Sequence, residues 1–119
     1  MNSQFDAEAQ QKIQELQILE QNLQNILAQK QAFQMELNEV LNASEEVKKS
    51  DQQIYKMVGS IMVVVEKDAT IKELDEKKKL LEIRNDSLSK QEQLFETKAR
   101  ELQQELRKII DRTSPTAKK

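Results

Sequence analysis

A seven-residue repeat of apolar side chains in the first 47 residues constrains the fold more than any other feature. Two interleaved series define this repeat, and ten of their thirteen positions are apolar. Such heptads predict a long helix with one face packed against another helix. The repeat, called the seam below, consists of Phe5, Lys12, Leu19, Ile26, Phe33, Val40 and Val47, with Ala9, Leu16, Leu23, Lys30, Leu37 and Ser44. Three residues lie one position beyond the seam and predict a wider buried stripe, namely Ile13, Leu27 and Leu41.

A second heptad repeat follows in the second half of the chain. Asp68 with Thr70 is suited to an N-cap, and Ser114-Pro115 ends the pattern, so a helix is expected over about 69–112. The first helix is expected over about 5–50, so each would be roughly 65 Å long. The second seam consists of Leu74, Leu81, Leu88, Phe95, Leu102 and Ile109, with Ile71, Lys78, Asn85, Glu92, Ala99 and Leu106.

The composition agrees with long helices. Of 119 residues, 34% are charged and 3% aromatic, and there is one glycine and one proline. Because these two residue types mark most turns, the chain has few places for tight loops. We expect a mainly α single domain, 1–119, with a disordered tail over about 113–119.

The segment between the repeats has a different pattern. Around the single glycine, β-branched residues crowd over about 53–67, which predicts a β-hairpin with its turn at Gly59-Ser60. A continuous helix is the alternative, but five successive apolar residues, Ile61 to Val65, would cover every side of it. The hairpin reverses the chain, so the two helices should form an antiparallel coiled coil.

A lone hairpin is marginally stable in water, and its edges offer unpaired backbone groups. The second strand is apolar on both faces, which is typical of a strand enclosed in a larger sheet or barrel. Hairpins of several chains are therefore expected to join; the alternative is a hairpin that only caps one coiled coil. The candidate oligomerisation residues are Ile54, Tyr55, Met57, Val58, Gly59, Ile61, Met62, Val63, Val64 and Val65.

Several functional classes lack the residues they need. The chain has no Cys and no His, so we expect no catalytic residue, no metal site and no cofactor. Its net charge is -2, and no stretch is apolar enough to cross a membrane, so neither nucleic acid nor membrane is an expected partner. A soluble, cytoplasmic protein is expected.

The hairpin sequence Ile54-Tyr55-Lys56-Met57-Val58-Gly59-Ser60-Ile61-Met62-Val63, followed by Lys67-Asp68 and a second heptad helix, resembles the β-type subunit of prefoldin, in an archaeal-like form. This resemblance implies a hexamer of two α-type and four β-type chains, whose hairpins form a β-barrel platform. It also implies an ATP-independent holdase that binds unfolded polypeptides at the coiled-coil tips and delivers them to a group II chaperonin.

The resemblance further implies that client contacts come from apolar residues where the two helices end. The alternative is that these residues only pack the helix ends together. Here they are Phe5, Ala9, Ile13, Leu16, Leu102, Leu106, Ile109 and Ile110, called the terminal set below.

Two other functions share these patterns. A structural coiled-coil adaptor or tether would need the same heptads and would use the hairpin only to dimerise. A nucleic-acid-binding helical arm would depend on the lysines Lys77 to Lys79. Stoichiometry separates the first from a hexamer, and salt-sensitive binding would mark the second.

Overall fold

The chain forms two long helices joined by a two-stranded hairpin, as the sequence predicts. The computed structural model describes the backbone of residues 3–113 and the side-chain surroundings of residues 7–112. Helix α1 spans Ser3–Lys49, strands β1 and β2 span Ile54–Val58 and Ile61–Val65, and helix α2 spans Lys67–Thr113. The expected disordered tail therefore lies, apart from Thr113, outside the described residues.

The start of α2 differs from the expected cap. The helix begins at Lys67, so Glu66 takes the N-cap position and Asp68 lies in the first turn. The carbonyl of Glu66 accepts hydrogen bonds from the backbone N–H of Thr70, at 3.0 Å, and from its hydroxyl, at 2.6 Å. The prediction that Asp68 caps the helix was wrong by two positions, although its charge still suits the positive helix end.

The end of α1 is tied to the start of α2. The Nζ atom of Lys67 donates a hydrogen bond to the carbonyl of Ser50 at 3.0 Å. Carbonyls at a helix C-terminus lack partners within the helix, so a cation is favourable there. Lys48 and Lys49 add positive charge to the same last turn.

The seam is buried along both helices. Every seam position from residue 7 to residue 112 is buried or half-buried, including the charged and polar ones. The most buried apolar members are Leu16, Leu19, Ile26, Val40, Leu81, Leu102 and Ile109. The heptad prediction is thus confirmed position by position.

The wider stripe on α1 is not buried. Ile13, Leu27 and Leu41 are all exposed. A helix with a single neighbour buries only the positions that point towards that neighbour, and these three point past it. The expectation that these three residues widen the buried stripe of α1 was therefore wrong.

The chain divides into two compact units. The first comprises Met1–Gln29 and Leu88–Lys119. Its core contains Leu16, Leu19 and Leu102, with Phe95 and Leu106 among the half-buried residues packed against them. Residues early in α1 thus meet residues late in α2, as an antiparallel pairing requires.

The second unit, Lys30–Ser87, contains the hairpin. Antiparallel pairing is seen here too, because Lys77 of α2 forms a 3.4 Å ion pair with Glu36 of α1. A small cavity of about 120 Å³ lies between the helices beside Ser44. The Ser44 hydroxyl is buried in the seam without a hydrogen-bond partner among the described residues.

Candidate functional site

The hairpin has a fixed register and a two-residue turn. Strands β1 and β2 pair antiparallel, from Ile54 opposite Val65 to Val58 opposite Ile61. Gly59 has a φ of 64°, and no other described residue has a positive φ. A positive φ at only the first central residue is the pattern of a type II′ turn, which matches the twist of hairpin strands. The turn predicted at Gly59-Ser60 is therefore confirmed.

The hairpin surface is apolar and open to solvent. Opposite residues share a face, so Tyr55 and Val64 lie beside Met57 and Met62 on one face. Lys56 is the one charged residue within the two strands. Seven large apolar side chains are exposed, namely Tyr55, Met57, Val58, Ile61, Met62, Val63 and Val64, whereas Ile54 and Val65 are half-buried.

The hairpin edges are unpaired within the described residues, since the sheet has two strands only. Each strand therefore presents one row of backbone N–H and C=O groups to solvent, which favours pairing with another strand. Both faces and both edges thus have the properties of an incomplete sheet.

Lys56 links the hairpin to α2. Its Nζ atom lies 2.8 Å from a carboxylate oxygen of Glu73, and both side chains are solvent-exposed. This hydrogen bond, together with the charge of Lys56, lowers the pKa of Glu73 below its ordinary value. The ion pair joins the hairpin to the helix that follows it.

The terminal set separates into buried and exposed members. Leu16, Leu102 and Ile109 are buried, and Ala9 and Leu106 are half-buried. Ile13 and Ile110 are exposed by 42% and 53%. The side chain of Phe5 lies outside the described residues. Of the described members, Ile13 and Ile110 are thus the ones exposed to solvent.

A charged pair lies within the seam of the first unit. Lys12 is half-buried, and its Nζ atom lies 2.7 Å from a carboxylate oxygen of Glu105 on the other helix. The hydrogen bond to Glu105 is the main cause of a raised pKa of Lys12, and Glu8 and Glu15 add to it. Lys12 therefore stays charged in this position at neutral pH.

Comparison with known proteins identifies the family. A family model described as "Prefoldin subunit" matches residues 10–112. This chain belongs to the prefoldin family. It is 39% identical over 105 residues to the prefoldin subunit beta of Pyrococcus horikoshii, covering 87% of this chain and 88% of that one. It is 32% identical over 117 residues to the prefoldin subunit beta of Sulfolobus acidocaldarius, covering 97% and 94%.

Solved prefoldin structures share the fold. The crystal structure of the prefoldin beta subunit from Thermococcus strain KS-1 superposes with a TM-score of 0.79 at 34% identity, covering 85% of this chain and 90% of that one. The beta2 subunit from the same strain gives a TM-score of 0.66 at 20% identity, covering 73% and 95%. At that lower identity the similarity concerns the fold alone.

The lysine cluster of this prefoldin-family chain has acidic neighbours. Lys77 pairs with Glu36 at 3.4 Å, and Lys78 lies 4.0 Å from Glu82 one turn further along α2. A phosphate backbone would have to compete with these carboxylates. The geometry gives a nucleic-acid-binding arm no additional support.

The described residues contain neither a metal-binding cluster nor a membrane-spanning helix. Among the described residues, no group of three or more His, Cys, Asp or Glu side chains is placed to hold a metal ion. No helix in the described part of the chain is long and apolar enough to cross a membrane.

Sequence reasoning missed two ion pairs, Lys12 with Glu105 and Lys56 with Glu73. Lys12 was recognised only as a charged member of an apolar series, and Glu105 was not singled out. A lysine at a seam position needs an acidic partner beside the facing seam, and Glu105 directly precedes the seam residue Leu106. That signal was available in the sequence, whereas the contact of Lys56 with Glu73 depends on how the hairpin lies on α2.

Proposed function

We propose that this chain is a β-type subunit of a prefoldin hexamer of two α-type and four β-type chains. The hexamer holds unfolded polypeptides without ATP in the cytoplasm and delivers them to a group II chaperonin. Membership of the prefoldin family implies a chaperone role and assembly with other prefoldin subunits. The stoichiometry, the holding of unfolded polypeptides without ATP, the cytoplasmic location and the delivery to a chaperonin are what we propose beyond that.

The main support for the proposed assembly is the exposed apolar surface of the hairpin. Seven large apolar side chains lie open on a ten-residue pair of strands with unpaired edges. Burying a fully exposed side chain of this size is worth roughly 1.5–3 kcal/mol, and these side chains are about half exposed, so each adds roughly half of that and several together favour association. Hairpins from neighbouring subunits would pair edge to edge and bury both faces in a shared barrel platform.

The terminal set supports the client-binding step. Ile13 and Ile110 are exposed near the ends of their helices, where an apolar segment can reach them. Contacts of one or two such side chains are weak and reversible. Linking several arms in one complex raises the avidity by roughly 10² to 10⁴, which holds a client while still allowing release.

Assembly is tested by mixing the chain with a prefoldin α-type subunit and measuring the mass by light scattering. We expect a hexamer for the unaltered chain and its loss in Ile61→Asp, because a charge on the hairpin surface cannot be buried in the platform. Ile83→Asp is the matched control, since Ile83 lies on α2 and is exposed by 66%, the same as Ile61. A stable dimer that does not bind the α-type subunit would instead support the function of a structural coiled-coil adaptor.

Client binding is tested with the assembled complex and a denatured enzyme whose aggregation is followed by light scattering. We expect Ile13→Asp and Ile110→Asp to reduce the protection, and their combination to reduce it further. Ile83→Asp should leave the protection unchanged. Equal protection by all of these variants would contradict the assignment of Ile13 and Ile110.

A further inference from the structure

The methionines of this chain lie on its surface. The sequence has four, of which Met1 lies outside the described residues. The other three are Met35 on α1 and Met57 and Met62 on the hairpin, and they are exposed by 66%, 67% and 62%. No methionine occupies a seam position of either helix. A chemical change at the described methionines therefore alters the surface and leaves the packing of the two helices intact.

Met57 and Met62 form a pair across the hairpin, called the methionine pair below. They lie directly opposite each other in the register of the two strands, one position from the residues that flank the turn. Directly opposite residues of antiparallel strands have Cβ atoms about 4.5–5.5 Å apart, so the two side chains are neighbours on one face. The same face carries Tyr55 and Val64. Half of this exposed apolar face thus consists of thioether side chains.

A thioether differs from the other apolar groups of the hairpin because peroxides oxidise it. The sulfur lone pair bonds to one peroxide oxygen as the O–O bond breaks, so the sulfur loses two electrons and hydrogen peroxide is reduced to water. The product, methionine sulfoxide, replaces an apolar group with a polar one. Methionine sulfoxide reductases reverse the change, with two thiols oxidised to a disulfide and the oxygen released as water.

We propose that the methionine pair is a modification site at which a peroxide reversibly blocks assembly of the subunit. In the free chain both side chains are exposed to the oxidant. In the proposed platform both faces of the hairpin are buried, and a sulfoxide there would leave a polar oxygen without a hydrogen-bond partner. An oxidised subunit therefore stays out of the complex until a reductase restores it. The inference rests on the proposed assembly through the hairpin and adds its regulation.

Met35 is an internal comparison, because its exposure matches that of Met57 but it lies on α1. Peroxide should therefore oxidise both at similar rates in the free chain, whereas only the hairpin sulfoxides should interfere with assembly. In the assembled complex Met35 should still react, and the methionine pair should be protected. Equal oxidation of Met35 and the methionine pair in the complex would show that this face is not buried and would overturn the proposal.

The experiment treats the free chain with hydrogen peroxide, removes the peroxide with catalase and adds an untreated α-type subunit. Mass spectrometry of peptides measures the oxidation of each methionine, circular dichroism measures the helix content and light scattering measures the mass of the complex. We expect an unchanged helix content and a yield of hexamer lowered by about tenfold or more. Reduction by methionine sulfoxide reductases should restore the yield, which tests the reversibility without any substitution.

Substitutions separate the hairpin from α1. Met57→Leu combined with Met62→Leu keeps the face apolar at similar volume, so the treated double variant should assemble as the untreated one does. Met35→Leu should lose assembly on treatment, as the unaltered chain does. Equal loss of assembly in the treated double variant would place the damage elsewhere and contradict the proposal.

The untreated chain distinguishes a failure of the assembly from a failure of the switch. If the untreated chain forms no hexamer with the α-type subunit, the proposed function fails, and there is no assembly for oxidation to block. If the untreated chain forms a hexamer and the chain oxidised at Met57 and Met62 forms it equally well, the assembly stands and the methionine pair is not a switch.

Discussion

The hairpin and the helical seam are both rich in apolar residues, but the seam buries them and the hairpin exposes them. On the seam, Leu81 is 3% exposed and its neighbour Leu80 is 47% exposed, so a single position decides burial. On the hairpin, alternate residues face opposite sides, yet both sides are open. The helices satisfy their apolar pattern within one chain, and the hairpin does not.

This difference separates the tasks of the two regions. A heptad repeat produces one apolar stripe, which a second helix of the same chain can cover. A strand that is apolar on both faces needs cover on both, and one chain with two helices supplies neither. The folded subunit is therefore complete along its seam and incomplete at its hairpin, which is the arrangement expected of an assembling subunit.

The largest effect is expected from Leu81→Ala, which leaves a cavity in the seam. Losses of about 2–4 kcal/mol in the free energy of unfolding are typical for such a buried leucine. Urea unfolding of the subunit, followed by circular dichroism, measures this loss. Leu80→Ala is the control and should cost well under 1 kcal/mol. Similar losses from the two variants would remove the contrast between the seam and its flanks.

Much of this contrast was predictable from the sequence. The seam followed from the seven-residue spacing alone. Even a charged residue such as Lys78 is assigned to the seam, because the apolar residues three or four positions from it lie on the same face of the helix. The turn followed from Gly59, the single glycine of the chain. The exposure of Leu27 could not be predicted, because the heptad pattern does not show how many helices pack against α1.

The second effect concerns the hairpin turn. Gly59 has a φ of 64°, and no described atom beyond its chain neighbours lies within 4 Å of an added Cβ, so within this chain the cost of Gly59→Ala is conformational. An L-residue in such a sparsely populated backbone region costs about 1–3 kcal/mol. We expect the assembled complex to dissociate at lower urea concentration, measured by light scattering. Ser60 does not have a positive φ, so Ser60→Ala should leave the urea midpoint of dissociation unchanged. An equal shift of this midpoint in both variants would contradict the explanation.

A smaller effect tests a defect within the seam. Ser44 has a buried hydroxyl with no hydrogen-bond partner among the described residues, so Ser44→Ala removes a desolvated polar atom and should raise the stability by up to about 1 kcal/mol. Ser87→Ala, at an exposed position of α2, gives the gain from helix propensity alone. Thermal unfolding of the two variants measures the difference. A lower melting temperature for Ser44→Ala would mean that the hydroxyl has a stabilising partner.

The smallest effect is expected where the two regions meet, at Lys56 and Glu73. Because the pKa of Glu73 is lowered in the folded chain, the ion pair contributes fully above the ordinary carboxyl pKa of about 4.5. The contribution is lost as the pH falls from there through the lowered pKa, since the folded state must then bind a proton at a cost. Both groups are exposed, so the gain in stability is small and salt-sensitive.

Nuclear magnetic resonance of the hairpin amides over this pH range measures the effect. The amides around Lys56 should shift with the titration of Glu73, and Glu73→Gln should abolish that shift. Glu76→Gln, which removes a nearby carboxylate of α2, is the control and should preserve it. Should the hairpin signals follow pH identically in both variants, the ion pair would not orient the hairpin, and the two regions would be joined by the chain alone.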